Sequence, residues 1–350
     1  MPSSARSPAS SRLREFELIQ TIRQRHARGG GSVARGIGDD AAVVTPPAGR
    51  QLVLTTDLLA EHVHFDLRTA SLDDVGYKAA IANLSDLAAM GARPEHVLVA
   101  LAIPASYSQS GILKLYRGLM DACRPYRVAL IGGDTSASRE GLFLSLTMTG
   151  SVPTGSALLR SGAKVGDAIY VTGTLGDSLA GGYLLSRHGR TTAARLSRAH
   201  RRFLIARHRR PVAHCRFGQF LSRQCLASAA IDLSDGLSGD LRHLCEESGV
   251  GAEIQAGALP LSPALQAYAV SARRDPATLA LQGGEDYELL WTTPMPKARR
   301  LQRLAKEPGR RITCIGVIRP KAFGIQLRDA GHRLRRLRVT SYVHFSGPLR

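Results

Sequence analysis

The stretch Ala230-Ile231-Asp232-Leu233-Ser234-Asp235-Gly236-Leu237-Ser238-Gly239-Asp240 ends an apolar run in an acid, turns, and sets a second acid where a helical pattern begins. A short apolar run bounded by turn residues reads as a buried strand, and the pattern after it reads as a helix start. The same grammar recurs at Gly36-Ile37-Gly38-Asp39-Asp40-Ala41, Leu54-Thr55-Thr56-Asp57, Asn83-Leu84-Ser85-Asp86 and Ile131-Gly132-Gly133-Asp134. Such a chain presents acids from the ends of regular elements, where a rigid scaffold carries chemistry.

Strand and helix patterns alternate along the chain. Helical periods cover 14–26, 73–90, 109–124, 178–188, 192–209 and 237–248. Strand patterns cover 51–56, 96–103, 128–131, 142–152, 167–172, 227–231, 288–293 and 312–318. The class is therefore α/β or α+β. At 350 residues the chain exceeds what one core serves. The turn Pro153-Thr154-Gly155 divides it into an N-terminal domain over 14–153 and a C-terminal domain over 154–350, behind a disordered leader over 1–13. No apolar run reaches the ~18–20 residues of a membrane span. Cys123, Cys215, Cys225, Cys245 and Cys314 are odd in number and widely spaced, which predicts reduced thiols, no zinc site and a cytoplasmic setting.

The acids set the chemistry. Two carboxylates ~4 Å apart repel by about 1 kcal/mol in water and by more when partly buried. Acids clustered without interleaved lysine or arginine call for a cation, and Mg²⁺ takes carboxylate, hydroxyl and water oxygens. Beside them stand the glycine turns Gly132-Gly133 and Gly173-Thr174-Leu175-Gly176, whose backbone N–H groups could approach phosphate. Acids plus glycine turns suggest phosphoryl transfer with metal bridging the like charges. There is no P-loop, because no Gly-Lys pair exists. The stretch Gly36 to Ala41 fits a dinucleotide fingerprint in form only, since two aspartates would face the pyrophosphate and no strand precedes it.

These pieces, taken with His64-Phe65, Arg160-Ser161-Gly162-Ala163-Lys164-Val165-Gly166-Asp167, Gly283-Gly284-Glu285-Asp286-Tyr287-Glu288-Leu289 and Tyr342-Val343-His344-Phe345, resemble the bacterial thiamine-monophosphate kinases over residues 36–345. The resemblance implies the two-domain fold of the aminoimidazole-ribonucleotide-synthetase-like ATP-using enzymes, with N-terminal sheets paired across a homodimer. It implies ATP-dependent conversion of thiamine monophosphate to thiamine diphosphate by direct transfer, with several Mg²⁺ ions. It implies that Asp39 or Asp40, Thr55, Thr56, Asp57, Asp86, Asp134, Asp232 and Asp235 hold metal. Gly133, Asp134, Arg160 and Ser234 would contact ATP, and His64, Glu285 and Tyr342 would line the thiamine phosphate site. No dedicated general base is expected, because the acceptor is already an ionised phosphate.

Within the same superfamily, a selenophosphate synthetase would want a reactive cysteine near the N-terminus, and none precedes Cys123. An aminoimidazole ribonucleotide synthetase would not predict His64-Phe65 or the Gly283–Leu289 element. Net charge is +19, with only six lysines, and arginine is densest over 187–216. No nucleic-acid-binding motif accompanies it and aromatics are 5%, so the stretch reads as a solvated helix face rather than a nucleic-acid surface.

Overall fold

The structure, a computed structural model, describes residues 15–26, 32–37, 41–186, 194–304 and 311–338. The chain divides into two compact units. One comprises Met1–Ala48, Leu54–Asn83 and Glu95–Thr149, the other Gly49–Val53, Leu84–Pro94 and Gly150–Arg350.

The first part of the chain runs α1 (Glu15–His26), β1 (Val33–Arg35), β2 (Val43–Val44), β3 (Arg50–Ala60), α2 (Leu72–Ala89), β4 (Arg93–Pro104), α3 (Gln109–Cys123), β5 (Ala129–Ser138) and β6 (Phe143–Pro153). The four long strands form a sheet in the order β3-β6-β4-β5, with β4 and β5 parallel, and β1 pairs with β2 as a short antiparallel ribbon. Alternation decides what is buried: Leu144, Leu146 and Met148 of β6 and Val97, Val99 and Leu101 of β4 point into the core. Edge strand β3 does the opposite, leaving Leu52, Leu54 and Leu58 exposed at 43%, 61% and 58%. In α1 the buried pair is Leu18 and Ile22, and Ile19 is only half-buried.

Two strands run further than their sequence patterns suggest. β3 continues through Asp57 to Ala60, and β5 continues through Asp134 to Ser138. Asp57 and Asp134 are therefore mid-strand residues, not strand-end residues. For β5 the reason is the ladder with β4, which continues from Ala100↔Asp134 to Pro104↔Ser138. That ladder slips at Ile131, an extra residue between the pairs Val97↔Leu130 and Leu98↔Gly132. After the bulge the strands lie so close that a Cβ on Gly133 would sit 1.9 Å from the Val99 carbonyl oxygen.

The second part runs β7 (Ala168–Thr172), α4 (Asp177–Leu185), α5 (Arg198–Arg209), α6 (Cys215–Arg223), β8 (Ala229–Leu233), α7 (Leu237–Ser248), β9 (Val250–Gln255), α8 (Pro263–Ala272), α9 (Pro276–Gln282), β10 (Glu288–Thr293), α10 (Met295–Leu304), β11 (Ile312–Pro320), β12 (Ile325–Arg328) and β13 (Leu334–Arg336). Its seven-stranded sheet has the order β13-β12-β9-β11-β7-β10-β8, antiparallel except where β12 meets β9. The expected mixed α/β architecture is thus present, and among the described residues no helix is long and apolar enough to cross a membrane.

One core joins Ile169, Val171, Ile231, Leu233, Leu290 and Ile315 of the sheet to Leu237, Leu241 and Leu244 of α7. A second joins α4, α5 and α8 through Ala180, Leu184, Leu204, Leu265 and Tyr268. Helices α4 and α5 meet closely: a Cβ on Gly181 would lie 2.1 Å from the Leu204 carbonyl oxygen. Around β10 the interior is polar. Glu288, 2% exposed, takes Arg207 at 2.6 Å, His214 Nε2 at 2.6 Å and the Thr172 hydroxyl at 2.5 Å. Burial alone would push this carboxyl up, but His214 and Arg207 outweigh it and hold the pKa at about 2.

A folded-state pKa below the unfolded value stabilises the protein above the unfolded value, and that contribution is lost as pH falls toward the folded one. The unfolding free energy of the wild type, from urea titrations, is expected to exceed that of Glu288→Gln most above pH ~4.5. The difference should shrink toward pH 2, and a difference constant across this range would contradict the assignment.

Candidate active site

The strand–acid–turn–helix pattern is realised most fully at β8 and α7. Asp232 lies on β8, opposite Leu289 of β10, and is 3% exposed. Ser85, fully buried near the end of α2, donates from Oγ to Asp232 Oδ2 at 2.8 Å. Burial, then the charges of Asp86 and Asp240, push the Asp232 carboxyl well above the ordinary range, while Ser85 and Arg160 pull it back. Asp232, Asp86 and Arg160, three of the expected site residues, thus gather around one buried carboxylate.

Past Asp232 the chain turns through Ser234, Asp235 and Gly236 into α7. The turn is held by a residue missing from the expected site set, Asp240. Its Oδ2 accepts the backbone N–H of Asp235 at 3.2 Å and of Gly236 at 3.0 Å. Burial and the neighbouring Asp235 push the Asp240 pKa up to about 7. A buried acid in the first turn of a helix, four residues after the turn glycine, is the signal that marks it. Ser234 lies on the same turn, and its carbonyl accepts the N–H of Glu285 at 2.7 Å. Glu285 is half-buried at φ 62°, so Ser234 and Glu285 are neighbours.

Other expected residues belong to the first unit. Thr55 and Asp57 are half-buried on the same side of β3, and Thr56 faces the other way, donating to the Leu146 carbonyl at 3.0 Å. Asp134 is exposed on β5, directly after Gly133. His64 accepts the Ala60 N–H at Nδ1 at 3.0 Å, which leaves Nε2 to carry the proton of the neutral ring. Glu61 steadies this turn by accepting from the Tyr107 hydroxyl at 2.7 Å and the Leu142 N–H at 2.8 Å. Asp39, Asp40 and Tyr342 lie outside the described residues.

The glycine turn over 173–176 is not an open phosphate cradle. The N–H groups of Gly173 and Leu175 donate to the carbonyls of Arg311 at 2.8 Å and Pro260 at 3.0 Å. Those of Gly176 and Ser178 donate to the buried carboxylate of Asp286, at 2.5 and 3.0 Å. Asp286 is therefore an internal cap for α4. The arginine-rich stretch is likewise not wholly a solvated face, because Arg207 points inward to Glu288.

Among the described residues no three His, Cys, Asp or Glu side chains form a group that could hold a metal ion. A hard cation here would draw further oxygens from phosphate, hydroxyl groups or water, as Mg²⁺ commonly does.

Two profiles of the AIR synthase related proteins match the chain, the N-terminal domain over residues 38–152 and the C-terminal domain over 164–326. These matches make the chain a two-domain protein of that class, with mixed α/β structure in both compact units. A thiamine-monophosphate kinase from Haemophilus influenzae is 41% identical over 309 residues, 88% of this chain and 90% of that protein. The crystal structure of thiamine-monophosphate kinase from Stenotrophomonas maltophilia K279a matches with TM-score 0.78 at 38% identity, covering 91% of this chain and 98% of that one. The structure of AaThiL complexed with AMPPCP and TMP matches with TM-score 0.73 at 32% identity, covering 98% and 100%. The chain belongs to the thiamine-monophosphate kinase family of AIR synthase related proteins.

Removing the Asp240 carboxylate leaves two backbone N–H groups without their acceptor, at a cost of about 1–3 kcal/mol. Asp240→Ala is expected to lower the thermal unfolding midpoint clearly. Asp240→Asn should recover most of the loss, since one oxygen accepts both bonds and an amide oxygen can replace it. Equal losses in the two variants would remove the assigned role.

Proposed function

We propose that this protein transfers the γ-phosphoryl group of ATP to thiamine monophosphate, giving thiamine diphosphate and ADP. The observation that carries the reading is the likeness, across 98% of this chain, to AaThiL complexed with AMPPCP, an ATP analogue, and TMP. The ordered motifs from Asp57 to Glu285 supply residue types suited to that pair of ligands.

In this reading the metal set is Asp39 or Asp40, Thr55, Thr56, Asp57, Asp86, Asp134, Asp232 and Asp235. The acids around buried Asp232 suit a divalent cation, because a cation would offset the repulsion from Asp86 and Asp240 that raises the Asp232 carboxyl. Bound Mg²⁺ would neutralise charge on the phosphate oxygens. Gly133, Asp134, Arg160 and Ser234 contact the nucleotide, with the Arg160 fork suited to phosphate oxygens. His64, Glu285 and Tyr342 receive the acceptor, and the Glu285 carboxylate pairs with its cationic, amine-bearing part. An oxygen of the acceptor phosphate attacks the γ-phosphorus as the bond to ADP breaks. That oxygen is already ionised at pH 7, so no side chain has to remove a proton, and positioning and charge neutralisation carry the rate.

The protein works as a homodimer paired through the first sheet. Supporting this are the leucines exposed on edge strand β3, Leu52, Leu54 and Leu58, an apolar row of the kind a partner covers. A cytoplasmic setting accords with five free cysteines.

Purified protein with ATP, Mg²⁺ and thiamine monophosphate should form thiamine diphosphate, followed by chromatography, and EDTA should abolish it. Asp57→Asn and Asp232→Asn should fold yet lose at least about a hundredfold in turnover. An absence of product sinks the reaction, and wild-type turnover in both variants sinks the metal assignment. Leu54→Glu should sediment as a monomer at concentrations where the wild type is a dimer; unchanged sedimentation would rule out pairing through β3.

A further inference from the structure

The arginine-rich stretch takes no part in the proposed reaction, yet the inner face of α5 reaches the loop that carries Glu285. Arg198 and Arg202 lie on the exposed side of this helix, while Leu204 is fully buried and Arg207 and His208 face inward. The Gly181 contact with Leu204 brings α5 close enough to α4 for these two side chains to reach the loop.

The loop needs holding. Glu285 at φ 62° and Tyr287 at φ 52° flank Asp286 in a left-handed conformation that side-chain-bearing residues keep only when their surroundings impose it. Three sets of contacts impose it. The N–H groups of Glu285 and Tyr287 bond to the carbonyls of Ser234 at 2.7 Å and Leu233 at 2.9 Å. The Asp286 carboxylate is fixed by the start of α4. From α5, Arg207 donates to the Asp286 carbonyl at 3.3 Å and to Glu288 at 2.6 Å. His208 Nδ1 stands 3.4 Å from Glu285 Oε2 and 3.3 Å from Ser178 Oγ. The α5 contacts touch both the backbone of the loop and the Glu285 side chain.

We propose that Arg207 and His208 are positioning residues for the acceptor substrate, holding the turn over 284–287 so that the Glu285 carboxylate is fixed to receive a cationic, amine-bearing heterocycle. This rests on the substrate role proposed above for Glu285. Both residues act on recognition of the acceptor through the loop that carries Glu285. Helix α5 thus has an inner face that bears on specificity and an outer face that carries Arg198 and Arg202.

The test uses the full-length protein in two variants. Arg207→Lys keeps a cation near Glu288 but loses the planar donor geometry. His208→Ala is the gentler change, since this side chain is 24% exposed. Each variant should raise KM for thiamine monophosphate by about tenfold, with kcat and KM for ATP within about twofold of wild type. In the ligand-free protein, hydrogen exchange at the Glu285 and Tyr287 amides should become faster in both. Unchanged KM for thiamine monophosphate in both variants, or a parallel rise in KM for ATP, overturns the proposal. If the wild type makes no thiamine diphosphate, the reaction assignment fails by itself. The exchange rates then decide, and unchanged rates overturn the holding role.

Discussion

The ion pair between Arg207 and Glu288 is the contact on which the second unit's polar interior depends. A charged carboxylate at 2% exposure is costly unless it is paired and its other oxygen is satisfied. Arg207, His214 and Thr172 meet both conditions and in doing so tie α5, the residue before α6, and β7 to the first residue of β10. Strand β10 lies between β7 and β8, so the pair bears on the strand that carries Asp232 as well as on the loop that carries Glu285.

The group around Asp232 follows another rule. There burial weighs most on the carboxyl. Asp86 and Asp240 raise the Asp232 pKa, and Arg160 offsets them only in part. Among the framework acids, Glu288 is held down by His214 and Arg207, whereas burial pushes Asp286 up to about 7. The two carboxyls, Glu288 and Asp232, lie on neighbouring strands.

Much of this was legible in the residues. The strand at β8, the turn, and α7 closed by Gly249 follow from apolar period and glycine placement, and so do most of the long elements. The ends of β3 and β5 were not legible, because cross-strand pairing carries them past the acids that looked like stops. Helices α6, α8 and α10 are short, and β9 and β12 take their stability from strand neighbours, so local pattern had little to show. Asp240 sits in plain sight in the leading motif, yet its role lies in two backbone N–H groups that only the folded turn brings to it. Asp286 and Glu288 stand in the same Gly283–Leu289 motif as Glu285, and only burial and partners show that they belong to the framework.

The cap on α4 has a consequence for how this unit meets ions in solution. A helix start preceded by glycines is ordinarily an inviting harbour for phosphate or sulfate. Here the chain has moored its own carboxyl group, Asp286, in that berth, with two N–H groups taken and Arg207 alongside. Added phosphate or sulfate finds no vacancy at α4, so any protection such ions give this unit comes from elsewhere on its surface.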